Sequence, residues 1–186
     1  MSQPAPFAPF ASDRHARLMV RAERPGFCVA DSGPLVVSIW TRTAVGEDVD
    51  LVGKVQRQVL DEYSKCIVVT IIRAPLSMAV DDEVREKGQA IIRDCGDATL
   101  RNVLVVEGGG LRANFFRSVV TGLYFLSRKS SAQKVSASID EAMDWALEPF
   151  RDGTAGIEWD DLDPSSMARE VNRFADDFTQ RQASEA

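Results

Sequence analysis

Histidine and closely spaced cysteines, on which many enzyme and metal sites depend, are scarce in this sequence. The 186 residues include one histidine, His15, and three cysteines, Cys28, Cys66 and Cys95, with no Cys-x-x-Cys pair. Because His15 lies beside a proline-containing N-terminal stretch, Ser-His-Asp and Cys-His catalytic arrangements are not expected. The cysteine spacing is wrong for a zinc site. We therefore expect no catalytic residues, no bound metal ion and no cofactor.

Long apolar runs and a basic charge balance are also missing. No stretch approaches the ~18 consecutive apolar residues of a membrane span, and the N-terminus lacks the regions of a secretory signal. The net charge is −6, and residues 151–186 contain nine Asp or Glu against four Arg. This balance argues against a nucleic-acid partner and against membrane insertion. Unpaired cysteines favour a reducing compartment, so we expect a cytoplasmic location.

Apolar patterning predicts alternating strands and helices after the N-terminal stretch. The β-rich runs at 27–31 and 35–41 are separated by Ser32-Gly33-Pro34, which predicts a hairpin. The runs Cys66–Ile72 and 103–106 are continuously apolar, which is typical of strands buried on both faces of a sheet. A short last strand is predicted at 134–137. Helical spacing is found at 48–64, 81–96, 113–127, 138–150 and 164–180.

This order of elements predicts the α/β class. We expect a mixed sheet of four or five strands with an N-terminal hairpin, alternating helices and a C-terminal helix. Cys66–Ile72 and 103–106 are expected to be adjacent parallel strands at its centre. The predicted organisation is a mostly disordered leader at 1–24, an α/β domain at 25–150, and an acidic C-terminal extension at 151–186 with one amphipathic helix.

Two predicted loops at helix starts carry candidate functional residues. Gly108, Gly109 and Gly110 precede a helix and, with Arg112, could hold an anion on free backbone N–H groups. A tight turn in which glycine only relieves steric crowding explains them as well. Ser77 lies between a buried strand and a helix start, where a phosphate would face the positive end of the helix dipole. A plain loop serine is the alternative.

The C-terminal extension contains a narrow apolar stripe. Met167, Val171, Phe174 and Phe178 are four, three and four residues apart, which predicts an amphipathic helix. An isolated helix of this length is marginal in water, so the stripe must be buried. It could pack on the body of its own chain, or on another chain such as a second copy. Because the five-stranded body looks complete without it, we slightly favour an intermolecular interface.

Several segments of the body carry a family resemblance. They are Leu35-Val-Val-Ser-Ile-Trp, the helix ending at Tyr63, Cys66-Ile-Val-Val-Thr-Ile-Ile, Val103-Leu-Val-Val-Glu, and the closing run from Lys134 to Trp145. Together they resemble the STAS/SpoIIAA-like family, the fold of bacterial anti-sigma-factor antagonists, over roughly 25–150. Antagonists of that family carry an Asp-Ser-Ser/Thr-Gly phosphoacceptor motif, which residues 73–81 lack. The resemblance therefore implies the fold and the regulatory class, but not the serine switch.

Taken with the missing catalytic residues, the resemblance leads us to expect a non-catalytic, cytoplasmic regulatory or protein-interaction module. Its partner would be a protein, including a second copy of itself. A binding protein for a small apolar or anionic ligand is the alternative, with its pocket between the sheet and the predicted aromatic helix at 113–127. An enzyme on a doubly wound scaffold is less favoured.

Overall fold

The protein is described by a computed structural model that covers residues 17–73, 81–107, 132–159 and 162–185. The strands are β1 (Met19–Arg24), β2 (Phe27–Ser32), β3 (Leu35–Trp40), β4 (Cys66–Ile72), β5 (Thr99–Val106) and β6 (Ala132–Ser136). The helices are α1 (Gly46–Tyr63), α2 (Asp82–Cys95), α3 (Ile139–Ala146), α4 (Glu148–Arg151) and α5 (Pro164–Glu185), and a 3-10 turn, Gly96–Ala98, leads into β5.

The six strands form one mixed sheet in the order of the chain, from β1 to β6. The first three strands pair antiparallel, and β3 to β6 run parallel. The α/β class, the mixed sheet, the N-terminal hairpin and the C-terminal helix are therefore confirmed. The strand count is six, not four or five. The predicted adjacency of β4 and β5 as parallel interior strands is also confirmed.

The additional strand is β1, at the edge of the sheet. Three of the six residues of β1 are charged, and four of the six are exposed. An edge strand with so few buried positions has no apolar run in its sequence, which is why the pattern assigns residues 19–24 to a leader. Residues 1–16 of that predicted leader lie outside the described part of the chain.

Helices cover both faces of the sheet. On the first face α1, with α2 beside it, packs on strand residues that include Phe27, Val36 and Val68. On the second face α3 and α5 pack on the alternate positions of the same strands, which include Leu35, Val37, Ile67, Val69, Val103 and Val105. Because side chains alternate along a strand, one set of apolar runs supplies both cores.

Local capping fixes where two of the helices begin. Glu141 N donates to Ser138 Oγ at 3.3 Å, which caps the first turn of α3. Asp81 Oδ1 accepts from the backbone N of Glu83 at 2.8 Å. The helix predicted at 138–150 is interrupted, because Pro149 has no N–H to continue it. It therefore divides into α3 and the single turn α4.

The C-terminal helix α5 packs on its own chain. Met167, Val171 and Phe178 are fully buried in the layer between α5 and the sheet, and Phe174 is partly buried there. These four residues are thus a contact within the chain, and our slight preference for an intermolecular interface is wrong. The physical reason is that the main strand contacts of α3 are with β4, β5 and β6, so the antiparallel half of this face needs a second helix to cover it.

Candidate functional site

The parallel strands end side by side at one edge of the sheet. Trp40 pairs with Ile72, and Ile72 pairs with Val106, so β3, β4 and β5 end at the same level. We call this region the carboxyl edge. It comprises the β1–β2 turn, the loop 41–45 with the first turn of α1, and the residues after β4 and β5, Arg73 and Glu107. Open α/β sheets bind ligands at their carboxyl ends.

The residues singled out from the sequence at this edge are not among those that the structure describes. Arg73 and Glu107, which immediately precede the segments 74–80 and 108–131, are described. The candidates in the segments 74–80 and 108–131 lie outside the described residues and stay predictions: Ser77, Gly108, Gly109, Gly110 and Arg112, together with the predicted aromatic helix.

A buried carboxylate anchors the carboxyl edge at the start of α1. Asp48 is fully buried in the first turn of the helix, where a negative charge complements the helix dipole. Its Oδ2 lies 2.7 Å from Arg42 Nη2, and its Oδ1 lies 3.5 Å from Arg24 Nη1. These contacts are ion pairs rather than well-aligned hydrogen bonds. Asp48 therefore holds two arginines, one from the end of β1 and one from the loop after β3.

Arg42 joins three parts of the carboxyl edge through its guanidinium. Nε donates to the carbonyl of Pro25 in the β1–β2 turn at 2.6 Å, and Nη1 donates to the carbonyl of Thr43 at 3.0 Å. Nη2 faces Asp48. Each nitrogen of the group thus has a partner within the chain, which fixes the loop 41–45 relative to the hairpin and to α1.

Arg73 has the same role at the centre of the edge. It follows β4, and its Nε donates to Glu107, which follows β5. Its Nη1 lies 2.9 Å from Asp176 Oδ1 and 3.1 Å from Thr179 Oγ1, both on α5. Arg73 therefore ties the ends of two parallel strands to the C-terminal helix.

An aromatic pair joins the start of β2 to the end of β3. The rings of Phe27 and Trp40 have centroids 4.6 Å apart. Trp40 Nε1 donates to Ser38 Oγ at 3.2 Å, and Ser38 Oγ in turn donates to Thr70 Oγ1 at 3.2 Å. These hydrogen bonds hold the indole of Trp40 in one orientation at the end of β3.

The charges at the carboxyl edge are balanced within the chain. Arg24, Arg42 and Arg73 each face at least one carboxylate. An anionic ligand would have to displace these carboxylates before it could bind a guanidinium. The freely accessible groups are instead Thr43, Val45 and Glu47, which are exposed. The charged groups of the carboxyl edge are thus engaged with one another, while the loop before α1 is exposed.

The cysteines are placed as core residues. Burial raises the pKa of Cys28 to about 12 and that of Cys66 to about 11, in the latter case against hydrogen bonds from Thr99 and Gln56. Cys95 is also buried, and its pKa is raised by the same cause. A thiol that stays protonated at neutral pH is a poor nucleophile and a poor metal ligand.

A second recess lies at the opposite edge, beside the start of α5. Its walls include Phe150, Ile157, Leu162 and Pro164, and Trp159 forms part of them. The indole Nε1 of Trp159 packs directly against Gly33 in the β2–β3 turn and is buried without a hydrogen-bond partner. This tryptophan therefore closes the turn, and the nitrogen that could mark a ligand site points into the protein.

Sequence reasoning missed the ion pairs of the carboxyl edge, although one of them had a signal. Arg73 and Glu107 each follow a predicted buried strand directly, and the ends of adjacent parallel strands meet at one edge. Opposite charges at equivalent positions therefore predict their pairing. Asp48 had no such signal, because an acidic residue in a first helical turn is ordinarily exposed.

Among the described residues, no group of three or more His, Cys, Asp or Glu side chains could hold a metal ion. Within the same ranges, no helix has both the length and the apolar character needed to cross a membrane. No protein-family model, curated protein or solved structure matches the chain.

Proposed function

We propose that the chain is a non-catalytic regulatory module of the STAS/SpoIIAA-like kind that acts in the cytoplasm by binding another protein at the carboxyl edge. The observation that carries this proposal is the order of the strands. In doubly wound sheets a ligand crevice opens where the strand order reverses. Here neighbours in the sheet are neighbours in the sequence, so no reversal exists among the described strands.

The winding direction supports the same conclusion. The crossovers β3–α1–β4 and β4–α2–β5 advance the sheet in one direction, and both helices lie on the first face. Right-handed crossovers in one direction place successive helices on one side. The charged groups of the carboxyl edge are paired with one another. The exposed loop before α1 is therefore the part of this edge that a partner protein can reach.

Two substitutions with the same charge change test this proposal. Glu47→Lys alters the exposed carboxyl edge, where Glu47 pairs with Arg24 through a solvent-exposed contact whose loss costs little stability. Glu158→Lys makes the same change at an exposed position near the opposite edge. Both variants and the wild-type chain are cross-linked in their native cells, and the proteins recovered with each are quantified by mass spectrometry.

We expect one or a few proteins to be recovered with the wild type and with Glu158→Lys, and at least ten-fold less of them with Glu47→Lys. Equal recovery with both variants would place the contact elsewhere and contradict the proposal. A small molecule that raises the melting temperature of the wild type but not of Glu47→Lys would favour the ligand-binding alternative.

A further inference from the structure

The recess beside the start of α5 has the size and the lining of a small-molecule site. Its volume is about 910 Å³, and of its nine lining residues five are apolar, two are glycines and two are charged. Sites for small ligands are concave, measure roughly 300–1,000 Å³ and combine apolar walls with a few polar groups. The recess therefore has the form of a ligand site, at the edge of the sheet opposite to the carboxyl edge.

The apolar walls of the recess are held in place by the core. The rings of Phe150 and Trp159 pack edge to face, with centroids 5.5 Å apart. Trp159 is 9% exposed and belongs to the cluster between α5 and the sheet, and Phe150 and Leu162 pack against the same cluster. Ile157 is partly buried. An apolar group that enters the recess thus meets a surface that is already formed, so binding orders few side chains.

Hydrogen bonds within the chain hold the loop that borders the recess. Ala155 N donates to the carbonyl of Pro149 at 2.8 Å, which ties the loop to α4. Thr154 N donates to Asp152 Oδ1 at 3.0 Å. These contacts give the loop a defined path around one side of the recess.

The charge that is left without a partner at the recess is negative. Arg151 and Glu158 are the two charged lining residues. Arg151 Nη1 lies 3.3 Å from Asp144 Oδ1, and Arg151 Nη2 donates to the backbone carbonyl of Asp144, so this guanidinium is matched within the chain. The exposed side chain of Glu158 has no ion pair or hydrogen bond with another described residue. Asp163, between two wall residues in the sequence, adds a second carboxylate, whose Oδ1 accepts from Ser165 N at 3.1 Å.

The lining favours a cation that carries an apolar body. An anion would meet the carboxylate of Glu158 and would have to displace Asp144 before it could pair with Arg151. An ammonium or guanidinium group can pair with Glu158 directly, while an apolar body fills the space along the walls. We propose that the recess binds a small organic cation, an amine or a guanidine on an apolar body, with its charged group at Glu158.

This site is separate from the surface of the proposed function. The recess lies at the opposite edge from the loop before α1, so a ligand here leaves that loop free. Recovery of a partner protein with Glu158→Lys therefore does not depend on this ligand. Either idea can fail while the other holds.

Three probes with one apolar body and different head groups test the proposal on the full-length chain. Phenylbutylamine, phenylbutanol and phenylbutyrate carry a positive charge, no charge and a negative charge at pH 7. A nuclear magnetic resonance titration at low salt should show shifts of the backbone amide signals of Gly153 and Gly156, which line the recess. We expect the amine to bind with a dissociation constant on the order of 0.5 mM, since so small a ligand makes few contacts. The alcohol should bind about three-fold and the carboxylate about ten-fold more weakly, because a pair with an exposed carboxylate contributes modestly.

Matched variants separate the contribution of the charge from that of the walls. Glu158→Gln removes the carboxylate, so it should lower the affinity for the amine about three-fold and leave the affinity for the alcohol unchanged. Glu86→Gln makes the same change at an exposed position on α2, beside the first face of the sheet, and should change neither affinity. Ile157→Ala removes part of a wall and should weaken the amine and the alcohol alike, by about three-fold. Far-UV circular dichroism should be the same for all three variants.

Several results would overturn the proposal. They are an amine that binds no tighter than the alcohol, an affinity for the amine that Glu158→Gln leaves unchanged, and no shift of the Gly153 and Gly156 signals at 10 mM amine. A further probe is a peptide of alternating Lys and Leu. If this peptide shifts those signals and the amine does not, the occupant is a segment of a partner protein, which would overturn the proposal as well.

Discussion

Truncation of one buried side chain on α5 tests whether the C-terminal helix belongs to the folded core. Phe178 is fully buried in the layer that α5 forms with the sheet. Replacing a buried phenylalanine by alanine costs about 3–5 kcal/mol in lost burial and cavity formation. For a chain of this size, each kcal/mol shifts the melting temperature by about 2–4 °C. We therefore expect Phe178→Ala to melt about 10 °C below the wild type.

Phe174 provides the matched control on the same helix. It is only partly buried against the same cluster, so Phe174→Ala should cost about 1–2 kcal/mol. Urea unfolding followed by fluorescence and circular dichroism gives both free energies of unfolding, and sedimentation gives the mass. The mass should be the same for the wild type and both variants. Equal losses for the two variants, or a loss that depends on protein concentration, would refute packing of α5 on its own chain.

Three other substitutions or reactions test the remaining features. Asp48→Asn should lower the free energy of unfolding by about 2–3 kcal/mol in urea, because it leaves arginines near a buried site without their counter-charge; a change below 0.5 kcal/mol would mean that the ion pairs are not structural. Gly33→Ala should cost about 1–3 kcal/mol, since φ is +53° there and the new Cβ would lie 2.6 Å from Trp159 Nε1; a neutral effect in a thermal melt would contradict this packing. At pH 7 an aromatic disulfide reagent should modify Cys28 and Cys66 at least a hundred-fold faster in denaturant than in the folded protein, because burial raises the pKa of both thiols. Rapid labelling of the folded chain would show that the thiolates are accessible and would contradict this prediction.

The parallel core of the fold could be predicted from the sequence because its strands are buried on both faces. Cys66–Ile72 and residues 103–106 contain apolar residues at consecutive positions, and residues 103–106 are all buried, as is typical of strands covered on both faces. The start of α3 was predictable from the spacing of Ser138 and Glu141. Ser138 Oγ accepts from the backbone N of Glu141, which is one half of a capping box, while the Glu141 carboxylate accepts from Ser136 Oγ.

The edge strand and the buried charges could not be predicted in the same way. β1 is defined by its pairing with β2, and its own residues are mostly exposed and half of them charged. Asp48 and Arg42 are separated by a loop whose path places one beneath the other. Pairing of this kind is set by tertiary geometry, which periodicity along the chain does not encode.

The placement of α5 shows that the strands and helices before it leave part of one sheet face uncovered. Helices that connect successive parallel strands in one direction lie on the same side of the sheet, so they cover only one of its faces. The helix after β6, α3, packs mainly on β4, β5 and β6 of the other face. Cys28, Ala30 and Val37 of the antiparallel half also point to that face and are fully buried, so they require a cover that α3 cannot give. A count of which strands each helix can reach therefore predicts that an amphipathic helix at the end of such a chain returns to its own sheet.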